Sequence, residues 1–223
     1  MDHPVYVVKC PTYEEVGAKM LALFDLMGGV APFVEPGQRV VLKVNLLRAA
    51  RPEEAVTTHP AVVSAVARML QEQGAVPIIV DSPGSGYPYD ARVLERLYRM
   101  AGLDEAAKAG GAELNFDTSH GVLSFPEGRL IKRFEVVTPV LEADGVFNLC
   151  KLKTHLLTGM TGAVKNVFGV IPGYVKPGYH AKLHDTDRFV DMLLDLVTCI
   201  RPSLSIMDAV VGMAVSYTHL TLP

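Results

Sequence analysis

The chain has 223 residues, 49% of them hydrophobic and 20% charged, with a formal net charge of −3. That length suits one domain with a sizeable core, and the near-neutral charge argues against a surface built to coat nucleic acid. Cys10, Cys150 and Cys199 lie far apart, which excludes a cysteine zinc site or an iron–sulfur cluster built from this chain's own thiols.

Reduced thiols in a cytoplasmic protein are the expectation. No apolar run approaches the roughly 20 residues of a membrane-spanning helix. The opening Met-Asp-His-Pro lacks the basic and apolar regions of a signal peptide.

In chain order, Val5–Val8 reads as a short strand. Tyr13–Met27 places Val16, Met20, Leu23 and Phe24 at helical spacing. Arg39–Leu46 is a β-branched run with Lys43 and Asn45 near its end. A lysine inside such a run is costly to bury unpaired, so Lys43 either emerges at the strand's end or meets an anion. Ala61–Gln73 is a helix, with Thr58 or His59 to cap it and Pro60 in its first turn. Ala75–Val80 is a second core strand and runs into Asp81-Ser82-Pro83-Gly84. Asp90–Ala101 and Asp104–Ala109 are helices, and Glu113–Phe116 is a strand. Val122–Phe125 and Arg129–Val137 pair as a hairpin around Pro126-Glu127-Gly128.

Gly145–Leu149 is a third core strand. Val170–Asp185, rich in Gly, Pro, Tyr, Lys and His, reads as a long loop or lid carrying His180 and His184. Thr186–Ile200 is an amphipathic helix, and Leu204–Met207 is a fourth core strand ending at Asp208. Strands alternating with helices predict an α/β fold, a mostly parallel sheet with helices on both faces. Ligands of such sheets bind outside the carboxyl ends of the strands. Lys43 and Asn45, Asp81 and Ser82, Lys151 to His155, and Asp208 all fall at or past such ends.

The densest set of special residues runs from Cys150 to Gly173. It places Lys151, Lys153, His155, Thr158, Thr161, Lys165 and Asn166 among glycines that include Gly159 and Gly162. Gly159, Gly162 and Lys165 do not have Walker spacing, and Asn166 stands where Ser or Thr belongs. Gly84 and Gly86 open a dinucleotide fingerprint, but Tyr89 takes the place of its third glycine. Lysines and hydroxyls beside glycines suit a phosphate or carboxylate. Lys43, Lys151, Lys153 and Lys165 would neutralise such an anion. Asn45, Thr58, Ser82, Thr158, Thr161 and Asn166 would orient it, and Gly84, Gly159 and Gly162 would admit its charged end.

His155 is the first candidate for acid–base work, because imidazole titrates near neutrality and the nearby lysines push its pKa down. His59 is the second. Asp81 and Asp208 are candidates to hold a divalent metal or a hydroxyl, although Asp81 also suits a plain turn. A metal site drawn from His59, Asp81, His155 and Asp208 lacks the close-set ligand pairs that mark such sites.

The motifs Val-Leu-Lys-Val-Asn-Leu, Thr-Thr-His-Pro, Asp-Ser-Pro-Gly, Lys-Leu-Lys-Thr-His, Thr-Gly-Met-Thr-Gly-Ala-Val-Lys-Asn and Ile-Met-Asp-Ala-Val-Val-Gly-Met together resemble the family called domain of unknown function 362. The resemblance spans Val5 to Met213. It implies a cytoplasmic prokaryotic protein, often fused to or encoded with ferredoxin-type iron–sulfur proteins, and hence a ferredoxin-type protein or module as a partner. It names no settled reaction. The chain departs from the family in carrying no ferredoxin module. After Met213, where members continue with Glu and a glycine-rich loop, it reads Ala-Val-Ser-Tyr-Thr-His-Leu-Thr-Leu-Pro. Residues 1–213 are thus expected to form a partial α/β domain, and 214–223 a non-native tail. Three functions stay open: an enzyme acting on an anionic small molecule, a redox protein whose iron–sulfur module lies elsewhere, and a non-catalytic ligand-binding or scaffold module.

Overall fold

The computed structural model describes residues 4–84, 86–183 and 185–214. Ser85, His184 and nearly all of the expected tail lie outside them. Strand β1 (Arg39–Lys43) pairs in parallel with β2 (Val76–Val80) on one side and with β6 (Gly145–His155) on the other. β2 pairs with the short β3 (Glu113–Leu114), and β6 with β8 (Leu204–Met213), again in parallel. β7 (Gly159–Thr161) turns back antiparallel on β6, on the side of β1 and beyond its end. The sheet is mostly parallel, as expected.

Successive side chains alternate across a strand, and that alternation feeds two cores. Val40 and Leu42 of β1, Ile79 of β2, and Phe147 and Leu149 of β6 enter the first. It is closed by α1 (Val16–Leu26), α2 (Pro60–Glu72), α3 (Ala91–Met100) and α4 (Leu103–Gly110). Val41, Ile78, Val80 and Val146 enter the second. There they meet α6 (Ala163–Val167), α8 (Thr186–Ile200), and the hairpin of β4 (His120–Ser124) and β5 (Arg133–Val137), which runs on into the short α5 (Thr138–Leu141). Burial on both faces is why β1 and β2 read as unbroken apolar runs. His59 caps α2, its Nδ1 accepting from the Ala61 amide at 3.2 Å, and Pro60 takes the first helical position.

Several expected boundaries differ, among them the end of β1, which stops at Lys43 and not at Leu46. Residues 5–8 are not a strand; Val5 and Val7 are 87% and 85% exposed, and extended backbone becomes a strand only when another strand pairs with it. β6 continues to His155, because β7 and β8 both pair with its second half. Lys151, Lys153 and His155 therefore stand on a strand, not on a glycine-rich loop past its end. β8 continues to Met213, which puts Asp208 in mid-strand. The described part of the expected loop or lid, 170–183, is not loop throughout; it contains α7 (Lys176–Lys182), and Val175, Tyr179 and Leu183 pack on the second core.

The stretch before β5 is irregular because its amides turn to α8. Arg129, Leu130 and Ile131 donate to the Asp195 carboxylate at 2.6–2.8 Å. Asp195→Ala is expected to lower stability by about 2–3 kcal/mol, since hydrogen bonds to a charged group are the stronger kind. Urea denaturation measures it; an unchanged midpoint would mean the hairpin is not tied to α8. No helix among the described residues is long and apolar enough to cross a membrane.

Candidate functional site: a lysine-lined cleft at the carboxyl edge

Lys43 is the last residue of β1 and shares the parity of Val41, so it faces the second core. Its Nζ lies 2.9 Å from Asp81 Oδ1, with both side chains almost wholly buried. Asp81 follows β2 directly. Its Oδ2 accepts from the Leu46 amide at 2.6 Å and its Oδ1 from the Ser82 amide at 2.8 Å. Gly169 seals the pair: a Cβ there would overlap both the carboxylate and the ammonium, and its carbonyl also accepts from Ser82 N at 3.0 Å. Asp81 is thus a clamp between two strand ends.

A cleft of about 190 Å³ opens beside this clamp. Lys43, Lys153, Lys165 and Lys176 all line it, together with Asn45, Ser82, Gly84, His155, Thr161, Asn166 and His180. Lys153 Nζ donates to Asn45 Oδ1 at 2.7 Å and to the Val56 carbonyl at 2.8 Å. Lys176 Nζ donates to the carbonyls of Ser82 and Pro83 at 2.6 and 2.9 Å. Lys165 Nζ rests over the rings of Phe168 and Phe189, 4.8 and 5.7 Å from their centroids. Asn166 binds Asn148, Asn45 and the Lys43 carbonyl, so its amide positions the wall. The Ser82 hydroxyl is buried and has no hydrogen-bond partner among the described residues.

Among the described residues four lysines face one carboxylate here, and that carboxylate is paired with Lys43. Burial lowers the Lys153 ammonium to a pKa of about 7, Lys165, Lys43 and Lys151 adding to the fall while Asp81 opposes it. Burial brings Lys176 to about 7 as well, with Lys43 and Lys165 lowering it and Asp81 opposing. Burial and Lys43 bring Lys165 to about 8. His155 falls to about 4 through burial, Lys165, His180 and Lys153, and is neutral at pH 7. Its Nδ1 accepts from the amides of Leu157 and Thr158 at 3.2 and 3.3 Å, which leaves the proton on Nε2. His180 stacks on Phe189 at 4.7 Å, its pKa also lowered by burial.

The remaining sequence candidates are elsewhere. Thr58 is fully buried; its hydroxyl accepts from Asn45 N at 2.8 Å and donates to the Leu149 carbonyl at 2.7 Å, a tie between chain segments. Thr158, Gly159 and Gly162 lie on or beside the β6–β7 hairpin and do not line the cleft. Lys151 shares the parity of Leu149 and faces the first core. There it pairs with Asp208 at 2.9 Å, both side chains inaccessible. It also donates to the Tyr13 hydroxyl at 2.7 Å, which donates to Asp208 at 3.1 Å. The His59 amide donates to the same carboxylate at 3.0 Å, and the His59 ring stacks on Tyr13 at 3.5 Å. Asp81 and Asp208 are therefore in separate ion pairs. Among the described residues no three His, Cys, Asp or Glu side chains gather as a metal site. Tyr13→Phe removes one hydroxyl from the second cluster and keeps the stack; a loss of about 1–2 kcal/mol is expected in thermal or urea unfolding, and no loss would mean water replaces the hydroxyl.

Lys176 was the residue the sequence hid, inside a segment that reads as a lid. A usable signal was present. Lys-Pro opens α7 with a cation at the helix N-terminus, where the macrodipole disfavours one, so this lysine is held there by something else.

Fold and site together define an α/β protein with a lysine-lined cleft at the carboxyl edge of its sheet. The chain belongs to the DUF362 family, described as a domain of unknown function, whose model matches residues 40–219. It is 37% identical over 220 residues to a thylakoid-associated protein of Synechocystis sp., covering 95% of this chain and 64% of that protein's length. Its fold resembles that of the lactate racemase apoprotein from Thermoanaerobacterium thermosaccharolyticum, with a TM-score of 0.52 and 11% identity, covering 88% of this chain and 49% of the other.

Proposed function

We propose that the cleft binds a small molecule bearing a carboxylate or phosphate, and that the protein is an enzyme acting on it. The observation that carries this reading is the convergence of Lys43, Lys153, Lys165 and Lys176 on one cavity whose lining, among the described residues, holds a single carboxylate, Asp81. Like charges brought together in a desolvated site raise one another's free energy, and a bound anion relieves that. The Ser82 hydroxyl, buried without a partner among the described residues, is a ready donor to an anion's oxygen. His155 supports the enzymatic half of the reading: a neutral imidazole with its proton fixed on Nε2 donates to, or orients, a reacting oxygen.

Titration calorimetry with sulfate, phosphate and small carboxylates tests the reading, alongside native mass spectrometry of the freshly purified protein. Binding to the wild type and its loss in Lys153→Ala Lys165→Ala is the expected result. Equal binding by that variant, or no binding to the wild type, would sink the assignment.

A further inference from the structure

Among the described residues, Lys165 is the lysine of the cleft with no hydrogen-bond or ion-pair partner. Lys43 is paired with Asp81, and Lys153 and Lys176 each donate to two oxygens. Lys165 lies against the apolar faces of Phe168 and Phe189. Those rings attract an ammonium weakly, and burial with the neighbouring Lys43 lowers its pKa to about 8, so that the neutral amine is within reach at mildly alkaline pH. An amine committed to no acceptor and held in an apolar pocket beside other cations has the setting of an imine-forming lysine.

Resting on the anion-site reading, we propose that Lys165 is a nucleophile that forms an imine with a small aldehyde or 2-oxo acid carrying a phosphate or carboxylate. Lys153 and Lys176 hold the anionic end. The Lys165 lone pair attacks the carbonyl carbon while the carbon–oxygen π pair moves to oxygen. A proton passes from nitrogen to that oxygen, giving a carbinolamine. A second proton, from an ammonium lining the cleft, lets the oxygen leave as water while the nitrogen lone pair forms the C=N bond of a protonated imine, whose N–H proton can return to the amine that gave the second one. One water is released per imine, and no oxidant or reductant is consumed.

The test incubates the full chain with pyruvate or glycolaldehyde phosphate and cyanoborohydride, which reduces the imine to a stable amine, and maps the modified peptide by mass. The expected adduct sits on Lys165, is suppressed by excess sulfate, does not form with the neutral methyl pyruvate, and disappears in Lys165→Arg. The wild-type peptide map stands by itself should that variant melt early by circular dichroism. Adducts scattered over surface lysines, or an unmodified Lys165 in a protein that still binds sulfate, overturn the imine and leave the anion site standing. A protein that binds neither sulfate nor either probe overturns both.

Discussion

Asp81→Asn is expected to destabilise the protein by about 3–5 kcal/mol, the usual cost of removing one partner from a buried ion pair. The change strands the Lys43 ammonium in the second core and removes the anionic acceptor of the Leu46 and Ser82 amides. Gly169→Ala should approach the same loss by another route, because its methyl group would occupy space taken by the carboxylate and the ammonium. Both changes act on one pair, so the double variant should lose clearly less than the two single losses added together. Lys43→Met combined with Asp81→Asn should recover part of the loss by removing the stranded charge. Urea denaturation with a common m-value measures all four. A loss below about 1 kcal/mol for Asp81→Asn would place the pair among solvated surface bridges and contradict its burial.

The same pair shows how far the sequence could be read. Lys43 in an apolar run signals a buried cation in need of an anion, and Asp81 after the neighbouring strand is a polar residue delivered to the same edge. Both residues suit a ligand by their pattern; in the fold they satisfy each other first. The reason is register: Lys43 sits opposite Val80, which brings the residue after Val80 within reach, and single-strand patterns do not contain register. Lys151 and Lys153 show a related limit. Two lysines at i and i+2 on a regular strand share a face, but a break in the β6–β8 register falls between them. One joins Asp208 and Tyr13 while the other reaches Asn45 and the cleft. The α/β class, Thr186–Ile200 and the antiparallel hairpin needed only local periodicity, and they were legible for that reason. Lys176 needed the packing of α7 on the second core, which a Gly- and Pro-rich composition conceals.

Anion affinity should fall steeply as pH rises above about 7–8. In the empty cleft Lys153 and Lys176 titrate near 7 and Lys165 near 8. A bound anion stabilises the ammonium forms and raises those values, so binding takes up protons between the free and bound pKa. Each lysine that must be charged then costs about tenfold in affinity per pH unit across that interval. Sulfate is the probe to use, because its own charge is constant there. The sign for folding runs the other way. These lysines titrate near 10.4 when unfolded, so without anion the folded state binds fewer protons, and stability rises as pH climbs from about 7 toward 10. Sulfate should therefore raise the melting temperature most near pH 7 and least near pH 10, and Lys176→Gln should reduce the slope of affinity against pH. A sulfate affinity unchanged between about pH 6 and 9 would mean that the lysines are already charged in the empty cleft. The cleft would then be solvated, and neither the proton uptake nor a neutral Lys165 amine would be available near neutral pH.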